Sequence, residues 1–195
     1  MRKKGFSLLE VIVAVTIVGV VGIFVSTILT RSYNAGNQSV ALGNLKQNGQ
    51  SAIGVIAESI RNSEGVICYG GSALRKSEIV IRNLQGKYIK YKFVDPLVTN
   101  SVITTNGYIT KQEDLDPNSY SSFCTSDLPT PEPVAITNNN NTSGVSISEG
   151  KFEKLTPATA SKDAVMISFY VSSPLTATSS AQSETAFMQT TVQVR

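Results

Sequence analysis

Histidine and tryptophan are absent from the chain, and cysteine occurs only twice, at Cys68 and Cys124. Without histidine, neither a Ser-His-Asp nor a Cys-His arrangement can be built, and histidine metal sites are excluded. Two cysteines fifty-six positions apart make neither a CxxC redox pair nor a zinc knuckle. No glycine-rich phosphate loop follows a strand; Gly70-Gly71 reads as an ordinary turn. Fourteen acidic side chains always allow a carboxylate pair to be nominated, but no spacing singles two out. The expectation is a protein that is not an enzyme and holds no cofactor and no metal. Proline is missing from the first half, the first of seven standing at Pro96, so nothing there breaks a helix covalently.

Charge is missing from one stretch in particular. Val11 to Thr30 are twenty uncharged residues between Glu10 and Arg31, preceded by Arg2, Lys3 and Lys4. Twenty helical residues rise about 30 Å, the thickness of a bilayer's hydrocarbon core. Valine and isoleucine lean toward strand in water, but a lipid-exposed strand would leave its backbone unpaired, and a helix does not. Glu10 is the anomaly, since a carboxylate within an inserting segment costs on the order of 3 kcal/mol at mid-membrane. A cut after Gly5 would supply a cation, the freed ammonium of Phe6. Within one helix the two groups meet poorly, whereas Glu10 of one chain can reach the Phe6 amine of a staggered neighbour. An ordinary secretory signal has a shorter apolar core and a small-residue cleavage site after it. A plain anchor, fixed by the positive-inside rule, explains the basic end but not Glu10.

Lys3-Lys4-Gly5-Phe6-Ser7-Leu8-Leu9-Glu10-Val11 resembles the prepilin signature of type IV pilins and type II secretion pseudopilins. The resemblance implies a leader, residues 1–5, removed by prepilin peptidase after Gly5, N-methylation of Phe6, and use of Glu10 in subunit docking. It implies as partners other pilin or pseudopilin subunits, prepilin peptidase, an inner-membrane assembly platform and the lipid bilayer. Many major pilins place proline where this chain has Thr27, so a minor pilin or pseudopilin is the version implied. The ending Phe187 to Arg195 resembles the terminal strand of such proteins.

Removing Arg2, Lys3 and Lys4 with the leader leaves fourteen basic against fourteen acidic side chains. A balanced chain gives no global argument for nucleic acid or anionic membranes. The anchor's orientation places Cys68 and Cys124 outside the cytoplasm, where a disulfide can persist; two separate buried thiols are the alternative.

Beyond Arg31, Ala41, Leu45, Asn48, Ala52, Ile56 and Ser59 recur at helical spacing, with Val40, Ile53, Val55 and Ile60 widening the stripe. Arg61, Asn62 and Gly65 supply a stop. Gly36, Gly43, Gly49 and Gly54 each cost about 1 kcal/mol in a helix interior. The apolar stripe therefore needs a sheet to lie on, and the glycines permit curvature or close approach of neighbouring helices. A kinked or interrupted helix is the alternative.

Strand signals follow. Glu78 to Arg82 and Tyr88 to Phe93 flank a hairpin at Asn83 to Gly86, with Ile89, Tyr91 and Phe93 facing in and Tyr88, Lys90 and Lys92 facing out. Val102 to Thr105 and Tyr108 to Thr110 flank Asn106-Gly107, the strongest short hairpin signal. Residues 111–143 read mostly as loop, and three late strands are expected: Gly144 to Leu155, bent at Glu149-Gly150, then Ala164 to Ser172 and Thr185 to Val194.

The expected fold class is α+β, a long N-terminal helix packed on an antiparallel sheet, which is the pilin-like fold the signature implies. Its parts are residues 1–5 as leader, 6–30 as transmembrane half-helix, 31–62 as amphipathic half-helix and 63–195 as an exported sheet domain. The C-terminal part would lie outside the cytoplasm, behind a single inner-membrane span, and enter a pilus or pseudopilus. Glu113, Asp114 and Asp116 read as a solvated acidic loop rather than a calcium site, which some pseudopilins carry. Arg75, Lys76, Arg82, Lys87, Lys90 and Lys92 face a single acid, Glu78, along their stretch. A charged outer hairpin face is the simpler reading, with DNA contact as the alternative and nucleic acid not the expected partner. An anchored binding module that never polymerises is the competing function.

Overall fold

A computed structural model describes residues 7–72, 75–99, 102–115, 124, 132–138, 144–155, 164–173 and 185–194. The chain divides into two compact units, Met1–Ala41 and Leu42–Arg195. Helix α1 spans Leu8–Arg61, fifty-four consecutive helical residues, so the interrupted alternative is not what forms.

In the first unit Ser7 opens the helix, its carbonyl accepting from the N–H groups of Glu10 and Val11 at 3.0 and 3.3 Å. Every described residue to Ala41 is exposed. The hydroxyls of Thr16, Thr27 and Thr30 donate to the carbonyls of Ile12, Ile23 and Ser26 at 2.8 to 2.9 Å. Bonding back to the preceding turn satisfies each hydroxyl inside the helix, so polar side chains can stand in an apolar run. By length and composition this helix can cross a membrane, its most apolar eighteen residues having a mean hydropathy of 2.8.

In the second unit, Leu42 to Arg61 lay a seam on the sheets. The buried positions are Leu45, Gly49, Ala52, Ile56, Ala57 and Ile60. Ala41, Val40, Asn48 and Val55 are exposed instead, which corrects the expected stripe. The seam turns onto Gly49 because a β-carbon there would press within 3.0 Å of Met188 and Val171, so glycine lets helix and sheet close. The helix ends with Asn62 N–H bonded to the Glu58 carbonyl and the Ser63 hydroxyl bonded to Ile60.

The strands are β1 (Ser63–Gly70), β2 (Glu78–Asn83), β3 (Tyr88–Val94), β4 (Leu97–Thr99), β5 (Val102–Thr105), β6 (Tyr108–Leu115), β7 (Val134–Ala135), β8 (Ser146–Leu155), β9 (Ala164–Ser172) and β10 (Thr185–Gln193). They form antiparallel sheets of order β1-β2-β3-β6-β7 and β10-β9-β8, with a β4-β5 ribbon. The long helix packed on antiparallel sheet is an α+β, pilin-like arrangement. Its core joins Ile56 and Ile60 to Ile79, Ile81, Tyr91 and Phe93 of one sheet and Phe152, Ile167 and Phe169 of the other. Phe93 bridges the sheets, its ring 4.8 Å from Phe152 and 5.5 Å from Phe169.

The β2-β3 hairpin closes as expected. The Asn83 carboxamide oxygen accepts from the N–H groups of Gln85 and Lys87, and Gly86 takes positive φ. Asn106-Gly107, by contrast, joins no hairpin. β5 pairs with β4, and β6 pairs with β3 and β7. Gly107 is there because the Ile147 carbonyl lies where a β-carbon would be, and its own carbonyl accepts from Ile147 N–H at 2.9 Å. Of the expected loop at 111–143, residues 111–115 instead continue β6 against β3 and residues 134–135 pair with it as β7, while 116–123, 125–131 and 139–143 lie outside the described residues. Glu113 and Asp114 thus stand on a strand, while Asp116 lies outside the described residues. The expected bend in β8 is a bulge, with Glu149 at φ 54° and Gly150 making room for the Phe93 ring.

Candidate assembly site

Glu10 occupies the first turn of α1, and its exposed neighbours Leu8, Leu9, Val11, Ile12 and Val13 are apolar. A carboxylate there faces the positive end of the helix dipole, worth about 0.3–1 kcal/mol at an exposed site. That partial charge offsets only part of the cost a carboxylate meets inside a bilayer. Arg2, Lys3, Lys4, Gly5 and Phe6 lie outside the described residues.

Farther along the helix, Gly43 and Gly54 have nothing within 4 Å of where a β-carbon would stand. They are eleven residues apart, about three turns, and so share a face. Gly54 is two residues from both Ala52 and Ile56, which places it about 200° from that buried seam. The face turned away from the sheet is thus one on which another helix could approach closely.

Four of the six cations read as a charged outer face, Arg75, Arg82, Lys90 and Lys92, are held in ion pairs. Arg75 grips Asp95 with both terminal nitrogens, and Asp95 also accepts from the Glu149 N–H at 3.3 Å. The pairing with Asp95 raises the Arg75 pKa, against partial desolvation. Arg82 pairs with Glu64 at 3.3 Å and lies 6.0 Å above the Tyr88 ring. Lys90 and Lys92 both reach Glu78, at 2.8 and 3.3 Å. Counting charges along residues 75–92 missed Asp95 and Glu64, which come from flanking segments that only the fold brings alongside.

Lys90 corrects the outward-facing expectation, being only 3% exposed. The second face of its sheet is covered by a smaller cluster of Val80, Ile67, Cys68, Tyr88 and Cys124. Cys68 and Cys124 are joined by a disulfide with Cα atoms 6.1 Å apart. It sets the Cys124 carbonyl so close to Gly70 that a β-carbon there would meet it at 2.8 Å.

Residues 1–26 match the family described as the prokaryotic N-terminal methylation motif, a stretch that includes Gly5, Phe6 and Glu10. No curated protein and no solved structure matches the chain.

Proposed function

We propose, from the prepilin-type signature that residues 1–26 carry, that this chain is a minor pilin or pseudopilin, a structural subunit of a type IV pilus or type II secretion pseudopilus. Prepilin peptidase cuts after Gly5, and Phe6 becomes the methylated N-terminus. The helix holds the subunit in the inner membrane, with the sheet-bearing part outside the cytoplasm, until an assembly platform draws it into the filament. Other pilin or pseudopilin subunits are its neighbours there. Glu10 of one subunit then pairs with the Phe6 amine of the next, neutralising two charges that are both costly in lipid.

The observation that carries this reading is the motif match around an acid in the exposed first turn of an apolar helix. The open glycine face of Gly43 and Gly54 supports it, because helices approach closely where side chains are smallest. Two measurements on material from the native host test it. Mass spectrometry should find a methylated chain beginning at Phe6, and Glu10→Ala should insert and fold while failing to assemble. An intact Met1 in cells that contain the peptidase, with assembly indifferent to position 10, would leave an anchored module that never polymerises.

A further inference from the structure

Among the described residues, the outer strands differ in how their edges are treated. β1 carries two register shifts, β7 is two residues long, β8 is bulged, and the β4-β5 ribbon is shifted. Each is a device that spoils an edge as a template for another strand. β10 has none of them. It pairs with β9 over nine residues without a shift, from Thr185↔Ser172 to Gln193↔Ala164, and contains no charge, proline or glycine. No described strand pairs with its other side. Its outward row is Thr185, Phe187, Gln189, Thr191 and Gln193, all exposed. Phe187 lies against Tyr170 of β9 with ring centroids 5.0 Å apart and planes tilted by 48°.

We infer that β10 is a self-association edge, which pairs antiparallel with β10 of a second copy of this chain about a two-fold axis at Gln189. A row of backbone N–H and C=O groups is complemented by an extended strand, which sets the class of partner. The absence of charge selects the same chain, since lysine on an edge is the usual guard against self-pairing. Full overlap of the nine residues puts Gln189 opposite Gln189 and Phe187 opposite Thr191, so that both outward rows share a face and no like charges meet. Pairing an aromatic with a β-branched residue is favourable across antiparallel strands. The result is a continuous sheet, β8-β9-β10 joined to its copy. This contact is separate from the helix-borne assembly proposed above.

The test uses the full chain in detergent micelles with Glu10→Ala, which removes the helix-borne association and keeps the two ideas distinguishable. Sedimentation equilibrium should show a dimer. Adding Gln189→Lys or Gln189→Glu places like charges opposite each other and should weaken it about fivefold. Mixing the lysine and glutamate variants should restore it as a heterodimer. A monomeric Glu10→Ala chain, a dimer indifferent to both charge variants, or a mixture no tighter than its components would each overturn the inference.

Discussion

A β-carbon added at Gly107 would collide with the Ile147 carbonyl and come within 2.8 Å of Pro96, both parts of the fold that cannot swing aside. Gly107→Ala should therefore cost about 3 kcal/mol in chemical denaturation, the upper range for overpacking. Gly54→Ala meets nothing within 4 Å and should gain up to about 1 kcal/mol from helix propensity, while impairing assembly if that face packs on a neighbour. The opposite signs separate a glycine required inside the fold from one left open for a partner. Tyr91 gives a residue-scale test in pH. Its ring is fully buried, and no group completes a well-formed hydrogen bond to its hydroxyl among the described residues. Burial raises the phenol from its ordinary 10.0, while nearby Ser59 and Lys111 act against the rise. Lys111 is raised from 10.5, desolvation being outweighed by Glu113 and Tyr91 together. Both groups have folded values above their unfolded ones, so their contribution is whole below about pH 10 and lost as pH climbs through the raised values. Tyr91→Phe should be within about 1 kcal/mol of wild type at neutral pH. It should also flatten the loss of stability above pH 10, as read by denaturation across an alkaline series.

The disulfide acts at the scale of elements, tying β1 to Cys124, which packs against Val80 on the outer face of the five-stranded sheet. Changing Cys68 and Cys124 together to alanine should cost about 4 kcal/mol by the loop-entropy argument. Hydrogen exchange should rise first at β1 and β2, ahead of the Ile56 and Phe169 side of the core. The elements also show what could be read from residues alone. The β2-β3 hairpin was legible because Asn83 and Gly86 close it by contacts within five residues. The same kind of local signal misled at Asn106-Gly107, where the glycine answers to Ile147, forty residues away. Helix content was legible from spacing, and so was part of its facing, since Leu45, Ala52, Ile56 and Ile60 of the expected stripe are buried. The glycine at position 49 looked like a propensity defect, and only the packing of Met188 and Val171 turns it into the centre of the seam. Lys90 was hidden for the same reason, since alternation says that two faces differ but not that both are covered. Glu10 lay at the other extreme, because its oddity is visible in any apolar run without a fold.

At the scale of the whole molecule, the two halves of α1 are held by different solvents. Among the described residues, every buried hydrophobic one falls at Leu45 or later, and the helix before Ala41 contributes none to the core. Its stability in the first unit comes from satisfying backbone groups where water is absent, whereas the second half is stabilised by packing on the sheets. A fragment from Leu42 to Arg195 should accordingly remain in the aqueous phase and form the disulfide. Its unfolding free energy should fall within about 1 kcal/mol of that of the same region in the full chain. Amide spectra of the two should overlay from β1 onward, with differences confined to the first turns of the shortened helix. The fragment should bind no liposomes and join no filament, because Glu10 and the apolar run are gone. If it proved unfolded instead, the first half of the helix would be required for the second, and the division of the chain between lipid and sheet would be wrong.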